Sequence, residues 1–399
     1  RRTRRQIALA RVGAGGFGLA VVASGTRGAW LGVVAAGVVA WPQLRRRVAG
    51  HRVLAGAATA AAVALVVVGP VGTRVAAAVD PGEAGGRSRL DEWALAAAVV
   101  ADRPLTGAGP EGYRIAAPAH IDDGYARRHG RDDVVDRAHS GPLDVAAAAG
   151  IPAAAVYVAL LATVVAACVR AVRRPSDRLV AGMAAGVVAW AVQQAVSFPL
   201  AEVDPAAWLL AGVVAGTGAV AAPGGRARAG RIAAGLAAGV LAAGGVLSVV
   251  ADRDLERATR TGDVAAADRA TALRPDDVDA WYVAAQVAAS GPSLLALDAG
   301  LDRVEDGLDR LPRDPALQDL HEALLTERAL RSGLADDLAA AEVAARDGIA
   351  ADPAGPAHHR RLGVILAARG DDRGAAAALR RVLDLDPWDA AARTALDGL

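Results

Sequence analysis

The chain has 399 residues, of which 54% are hydrophobic and only 3% aromatic, and its mean hydropathy is +0.29. Its length suggests two or three domains, and a chain this apolar is not typical of one soluble domain. The single cysteine, Cys168, excludes a disulfide framework and a zinc site built from cysteines. The net charge of +1 is the sum of a basic and an acidic half. Residues 1–250 contain 26 arginines and 15 acidic residues, whereas residues 251–399 contain 18 arginines and 28 acidic residues. The sequence therefore predicts two physically different halves.

The first half contains seven apolar runs, and each is near the ~20 residues that a helix needs to cross a bilayer. The runs cover approximately residues 7–24, 29–44, 53–70, 143–169, 179–196, 206–222 and 232–250. Arginines cluster at the N-terminus and at every second junction, which is the positive-inside pattern. Buried helices of a large soluble domain are the alternative. We predict a multi-pass membrane domain over residues 1–250, with its N-terminus in the cytoplasm.

An odd number of spans places two hydrophilic segments outside the cytoplasmic membrane. The first is a loop over about residues 71–142, which is long enough to be a folded cap or a functional lid. Within it, residues 89–100 have the pattern of a helix that could lie at the membrane interface. The second segment is the C-terminal domain, residues 251–399.

The C-terminal domain has the composition of a soluble helical protein, with turn prolines that recur after Ala- and Leu-rich stretches. Pro275, Pro315, Pro353 and Pro387 are separated by 40, 38 and 34 residues, and the last interval equals the tetratricopeptide period. We predict a soluble α-solenoid of tetratricopeptide-like repeats whose exposed face suits a protein partner. A plain helical bundle is the alternative. The complete chain is then all-α, with about seven spans followed by the solenoid.

Three histidines occupy the outer loop, and they allow a metal site as one hypothesis. His120, His129 and His139 could be completed by Asp122-Asp123 or Asp132-Asp133. Aspartate pairs flanked by several arginines are, however, more often a solvated ion-pair surface. We therefore predict that the protein uses neither a metal nor another cofactor, and nothing in the sequence indicates nucleic-acid binding.

His139, Arg27 and Arg89 are the candidate functional residues because of their positions at the outer ends of spans. An imidazole at the mouth of a span can accept a proton near neutral pH, although the position of His139 alone favours a helix-capping or interface histidine. Arg27 begins the second apolar run on the side opposite to the arginine clusters. The guanidinium fork of Arg27 and Arg89 suits two phosphate oxygens, as in a lipid diphosphate, and lipid-headgroup contacts are the alternative.

Several short motifs together resemble those of the O-antigen ligase and polymerase family. They are Ser24-Gly25-Thr26-Arg27-Gly28-Ala29, Ser88-Arg89-Leu90-Asp91-Glu92-Trp93, Arg103-Pro104-Leu105-Thr106-Gly107-Ala108-Gly109, Ala138-His139-Ser140 and Gly150-Ile151. Their order and spacing match the family over about residues 20–200, including the glycine ten residues after Ser140. The sequence departs from the pattern at Thr26, Trp93 and Ala155.

The resemblance implies a membrane glycosyltransferase of cell-surface polysaccharide assembly, acting on the outer face of the bacterial cytoplasmic membrane. The donor would be a polyprenyl diphosphate-linked glycan, and the acceptor a glycan, a lipid or a protein. By this resemblance, Arg27 and Arg89 would bind the lipid diphosphate, and His139 would activate the acceptor hydroxyl. Ligase and polymerase activities remain equally open. A membrane-anchored repeat scaffold that organises the cell envelope is the non-enzymatic alternative, and a transporter would require ionisable residues within the spans.

Overall fold

The computed structural model describes residues 27–48, 84–131, 135–173, 178–197, 204–216 and 244–399, and every regular element in these ranges is a helix. The predicted all-α class is therefore confirmed for the described residues. The chain divides into two compact units. The first unit comprises Arg1–Tyr113 and Arg137–Val220, and the second comprises Arg114–Asp136 and Ala221–Leu399. Part of the predicted outer loop thus groups with the C-terminal helices.

Seven α-helices precede residue 217 in the described part of the chain. They are α1 (Arg27–Val48), α2 (Ala84–Asp102), α3 (Gly112–Ala116), α4 (Asp123–His129), α5 (Gly141–Arg173), α6 (Arg178–Gln193) and α7 (Asp204–Gly216), and a 3₁₀ turn, Ala117–His120, follows α3. Helix α6 packs against α1, α5 and α7, while α2 packs against α5. Alanine and valine side chains make up most of the core among α5, α6 and α7. These small side chains permit the close approach of helices that is typical of membrane bundles.

Helix α5 is the one described helix that is long and apolar enough to cross a membrane. Large apolar side chains on its surface remain exposed, including Val156 at 70% and Leu160 at 48%. Three shorter apolar stretches lie in α1, α6 and α7. The 16 residues of α6 and the 13 of α7 fall below the length that spans a bilayer alone. The predicted runs at 7–24 and 53–70 lie outside the described residues, so the count of seven spans stays a prediction.

Nine α-helices form the C-terminal part of the second unit. They are α8 (residues 244–261), α9 (Val264–Leu273), α10 (Val278–Ala289), α11 (Leu294–Arg310), α12 (Pro315–Ser332), α13 (Ala335–Ala351), α14 (Pro356–Ala368), α15 (Asp372–Leu385) and α16 (Ala390–Asp397). From α9 onward each helix packs against the next along the chain. The predicted solenoid of tetratricopeptide-like repeats stays a prediction.

Aspartates at the turns explain why these helices begin where they do. The carboxylates of Asp277, Asp314 and Asp389 accept hydrogen bonds from backbone N–H groups in the first turns of α10, α12 and α16. Such N-caps satisfy donors that have no partner within the helix. Pro315 follows Asp314 at the first helical position, where its missing N–H costs nothing. The recurrent Asp-Pro signal in the sequence is therefore partly a capping signal.

Candidate functional site

The first unit brings Arg89, Glu92 and His139 together. Arg89 and Glu92 are three residues apart on α2, so they share one face of that helix. Glu92 Oε2 lies 3.1 Å from His139 Nδ1. Arg89 Nη1 donates to the carbonyl oxygen of His139 at 3.5 Å, and also makes a short hydrogen bond to the carbonyl of Val196. The two predicted residues thus meet, and Glu92 joins them.

His139 has a backbone conformation that side-chain-bearing residues rarely adopt. Its φ is +51°, in the left-handed region that favours glycine. Neighbouring hydrogen bonds fix the backbone on both sides: Ala138 N–H donates to Asp144 Oδ1 at 2.8 Å, and Gly141 N–H donates to the Gln194 carbonyl at 2.8 Å. Strained conformations of this kind persist where the surroundings over-determine them, and they concentrate at functional sites. In this conformation the His139 side chain contacts the Glu92 carboxylate on α2.

The surroundings of His139 also determine which ring nitrogen is basic. Nδ1 faces two acceptors, the Glu92 carboxylate and the Arg137 carbonyl at 3.3 Å. Nδ1 must therefore carry the proton in the neutral ring, which makes Nε2 the nitrogen that can accept one. The hydrogen bond that His139 donates to the Glu92 carboxylate raises the pKa of His139 above its usual value, while partial burial and Arg89 oppose that rise. The carboxylate thus orients the ring and stabilises the imidazolium that forms when Nε2 takes a proton.

A glycine-containing loop holds the N-terminal end of α5 by replacing hydrogen bonds that the helix cannot make. Pro152 has no N–H, so the Ala148 carbonyl lacks its usual donor four residues later. Gly109 N–H donates to that carbonyl at 3.0 Å, and Ala108 N–H donates to the Ala147 carbonyl at 2.7 Å. Ile151 N–H is directed away from the helix ladder and donates instead to the Pro104 carbonyl at 2.7 Å. The loop and the helix therefore form one hydrogen-bonded structure.

Two glycines make this close contact possible. Gly150 has φ +84° and ψ 169° within α5, where it kinks the helix, and a Cβ there would lie 2.3 Å from the Leu105 carbonyl oxygen. Gly107 has φ +67°, and a Cβ there would lie 2.4 Å from the Ala148 carbonyl carbon. Only glycine combines such backbone angles with so little space. Ser140 directly precedes α5, and Gly150 is the kink in that helix. The spacing between the two motif residues therefore sets how far along α5 the kink lies from His139.

Arg27 begins α1, and its side chain lies outside the described residues. The structure therefore leaves the predicted pairing of Arg27 with Arg89 as an expectation. Both hydrogen bonds of Arg89 described above use Nη1. A guanidinium carries five N–H donors, so the other three can serve an anionic ligand.

The other histidines of the outer loop belong to the second unit, and their neighbouring acids have different roles. Asp122 Oδ1 caps α4 by accepting from Tyr125 N–H at 2.6 Å. Asp123 pairs with Arg381 through two contacts of 2.6 Å, which lower the pKa of Asp123. The ring of His129 packs on Tyr125 with their centroids 4.6 Å apart. Asp123 is therefore part of an ion pair, as the alternative to a metal site in the outer loop predicts. Asp132-Asp133 lies outside the described residues.

Among the described residues, one group of metal-ligating side chains comes close together, in the second unit. Asp319, Glu322 and His358 each place a ligand atom within 4.8 Å of the others. Arg361 occupies the same cluster, with Nη1 2.6 Å from Asp319 Oδ1 and 3.4 Å from Glu322 Oε2. The guanidinium already supplies the positive charge that these carboxylates require.

Glu92 is the member of this cluster that the sequence motifs did not single out. It lies within the Arg89 motif, and its spacing of three residues already places it on the same helical face as Arg89. Asp144 was also not selected, although it follows the His139 motif by one helical turn. Its contact with Ala138 depends on the backbone path before α5, which the sequence pattern does not determine.

Comparison with protein families gives a match in the N-terminal part of the chain. Residues 13–158 match a family model described as O-antigen ligase. The matched span contains Arg27, Arg89, Glu92 and His139, and it ends within α5. The match supports the O-antigen ligase family for this part of the chain, and it indicates a membrane protein with glycan ligase or polymerase activity. No curated protein and no solved structure matches the chain.

Proposed function

We propose that the protein transfers a glycan from a polyprenyl diphosphate carrier to an acceptor hydroxyl, with His139 as the general base. The observation that carries this proposal is the contact between His139 Nδ1 and Glu92 beside Arg89, in the span that matches the O-antigen ligase model. A carboxylate–imidazole pair next to a guanidinium offers both a proton acceptor and a site for a negatively charged leaving group.

The reaction is a displacement at the anomeric carbon. The acceptor hydroxyl oxygen attacks that carbon and gives its proton to Nε2 of His139. The new carbon–oxygen bond forms as the bond from the anomeric carbon to the diphosphate oxygen breaks, and its electron pair leaves with the diphosphate. Glu92 stabilises the resulting imidazolium, and the transferred sugar has inverted configuration.

Arg89 and Arg27 bind the diphosphate in this proposal. Arginine forks bind two phosphate oxygens at once and stay charged at all physiological pH values. Arg89 also contacts the backbone carbonyl of His139, so donor binding and base position are linked through one side chain. No step of this displacement calls for a metal or another cofactor.

The proposed location is the outer face of the bacterial cytoplasmic membrane, where the C-terminal helices also lie. This placement follows from the arginine clusters and the odd number of predicted spans. The tetratricopeptide-like helices would then present a surface to a protein partner or a protein acceptor.

The test is reconstitution of the full-length protein in liposomes with a polyprenyl diphosphate-linked glycan and candidate acceptors. We expect the carrier to be released as polyprenyl diphosphate and the product linkage to be inverted, with activity unaffected by chelators. Release of the carrier as a monophosphate would contradict the displacement, because a different bond would have broken. Absence of donor consumption with every donor tested would favour the envelope scaffold.

A further inference from the structure

The first helix of the C-terminal part, α8, changes from exposed and apolar to buried at residue 251. Val246 is 64% exposed and Val249 is 51% exposed, whereas Ala251 is completely buried. The charged sequence Asp252-Arg253-Asp254 follows directly. The exposed stretch is the end of the apolar run at 232–250, and a bilayer is the environment that suits such a run of bare apolar side chains. In the predicted topology, the outer surface of the bilayer therefore crosses α8 near residue 251.

The turn between α9 and α10, residues 274–277, lies level with this crossing point. Arg274 Nη1 in the turn is 3.6 Å from Asp252 Oδ1 on α8. Ala251 shares a buried cluster with alanines of the last turn of α9 and the first turn of α10. The described residues of α8 before Ala251 extend past this turn by roughly 10 Å, at a rise of about 1.5 Å per residue. The turn itself therefore lies at the surface of the bilayer.

Four turns within residues 244–399 lie at the same end of their helices as this one does. Consecutive helices from α9 onward pack against each other and are joined by short turns, so neighbours run antiparallel and every second turn is at the same end. At the opposite end, Arg331 Nη1 donates to the Gly291 carbonyl at 3.3 Å. We call the first end the proline-turn end, and it comprises residues 274–277, 311–314, 352–355 and 386–389.

The part of the outer loop that belongs to the second unit contacts the proline-turn end. Arg114 Nη2 lies 3.3 Å from Asp314 Oδ2, and Arg131 donates from both of its terminal nitrogens to Asp352. Asp314 and Asp352 belong to two of the four turns. The sequence places this loop between two spans, on the outer side of the membrane. These contacts agree with a proline-turn end that faces the bilayer.

The last of the four turns carries an exposed tryptophan. Trp388 is 86% exposed. Trp281, near the first turn, is by contrast packed in the core and donates from Nε1 to the Pro275 carbonyl at 2.9 Å. Tryptophan is enriched at membrane interfaces, because its ring is apolar and its N–H is polar. Trp388 therefore has the position and the chemistry of an interfacial anchor.

Hydrogen bonds within the turn hold the backbone that carries Trp388. Asp386 Oδ1 accepts from the Trp388 N–H at 2.9 Å. Asp389 caps α16 with one oxygen and pairs with Arg360 through the other. The two aspartates beside Trp388 thus have partners inside the fold, and Arg360 offsets one of their charges. The indole is presented to its surroundings on a defined backbone.

We propose that the proline-turn end of the C-terminal helices lies on the outer surface of the cytoplasmic membrane, with the indole of Trp388 inserted among the lipid headgroups. The partner is a lipid surface, because α8 enters the bilayer at this same end. The proposal concerns where this part of the chain lies, and it does not depend on glycan transfer.

Electron paramagnetic resonance of the full-length protein in lipid nanodiscs tests this contact. In a Cys168→Ser background, a nitroxide is attached either at Ala391→Cys, an exposed position beside Trp388, or at Leu295→Cys, which is 78% exposed at the opposite end. The nanodiscs contain a lipid whose headgroup carries chelated gadolinium, which accelerates the relaxation of nearby nitroxides. We expect a several-fold larger acceleration at position 391 than at position 295.

Trp388→Asp tests whether the indole itself makes the contact. The side chain is so exposed that the substitution should leave the fold intact, as circular dichroism can verify. We expect the acceleration at position 391 to fall several-fold, because a carboxylate is disfavoured where an indole is favoured, and Trp388→Phe should retain most of it. Leu334→Asp is the matched control, since Leu334 is an exposed apolar residue at the opposite end. It should leave the acceleration at position 391 unchanged.

Three results would overturn the proposal. Equal acceleration at positions 391 and 295 would contradict the orientation of the proline-turn end. Equal acceleration at position 391 in wild type and folded Trp388→Asp would contradict the anchoring role of the indole. Protection of the nitroxide at position 391 from a water-soluble nickel chelate by an added oligosaccharide, with no effect of lipid, would assign the indole to a glycan instead.

Discussion

At the scale of single residues, the proposed role of His139 as a base depends on its contact with Glu92. The carboxylate is 15% exposed and faces the ring nitrogen that must carry a proton. A histidine without this partner could turn either nitrogen toward the substrate, and its imidazolium would lack a nearby negative charge. Glu92, His139 and Arg89 therefore form one contact cluster, and the sequence pattern pointed to Arg89 and His139 but not to Glu92.

Glu92→Gln should shift the acid limb of the pH–rate profile to lower pH. The carboxylate raises the pKa of His139, and a general base must be neutral, so wild-type activity rises as pH increases through that raised pKa. The amide removes the charge, which lowers the pKa of His139 and populates the neutral ring at lower pH. The maximal rate should fall, because the imidazolium is less stabilised.

The measurement is kcat/KM against pH for wild type and Glu92→Gln at saturating acceptor. Asp91→Asn is the matched control, since Asp91 is the neighbouring acid on α2 but points from a different face of the helix. An acid limb that stays in place in Glu92→Gln would show that this carboxylate does not control the base.

At the scale of secondary-structure elements, the kink in α5 organises the site. Helix α5 has 33 residues, which is more than a helix needs to cross a bilayer. Its segment before Gly150 begins at Gly141, directly after His139 and Ser140. The loop at residues 103–109 holds this segment by hydrogen bonds to the Ala147 and Ala148 carbonyls, of which the second lacks its usual donor because of Pro152. Gly107, Gly150 and Pro152 thus all lie where the backbone of this loop is hydrogen-bonded to α5.

Gly150→Ala should destabilise the outer end of α5 and reduce activity. An alanine at φ +84° costs about 1–3 kcal/mol in backbone strain, and its Cβ would also collide with the Leu105 carbonyl. Gly182→Ala on α6 is the control, because no neighbouring atom lies within 4 Å of the added Cβ. Thermal unfolding in detergent should show a lower Tm for Gly150→Ala alone. Equal Tm values for the two variants would contradict the close loop–helix contact.

At the scale of the whole molecule, the sequence predicted classes of structure better than contacts. Hydropathy and charge predicted helical membrane and C-terminal parts, and the described residues are helical in both. The grouping of residues 114–136 with the C-terminal helices was not predictable, because ion pairs such as Asp123 with Arg381 join positions 258 residues apart. Local patterns contain no information on such distant partners.

The predicted topology can be tested by cysteine labelling in intact cells. In a Cys168→Ser background, Ser290→Cys should react with a membrane-impermeant maleimide, because Ser290 is an exposed residue of the C-terminal part. Ser176→Cys lies in a predicted cytoplasmic arginine cluster, so it should react only after the membrane is permeabilised. Labelling of both positions, or of neither, in intact cells would contradict the predicted orientation.

The central claim is that His139 accepts the proton during glycan transfer. The most direct measurement is single-turnover consumption of a polyprenyl diphosphate-linked glycan in liposomes by wild type and His139→Ala. Loss of general-base catalysis should slow the chemical step by on the order of 10²- to 10⁴-fold, with unchanged membrane insertion and donor binding. Consumption of the donor by His139→Ala at the wild-type rate would contradict the account.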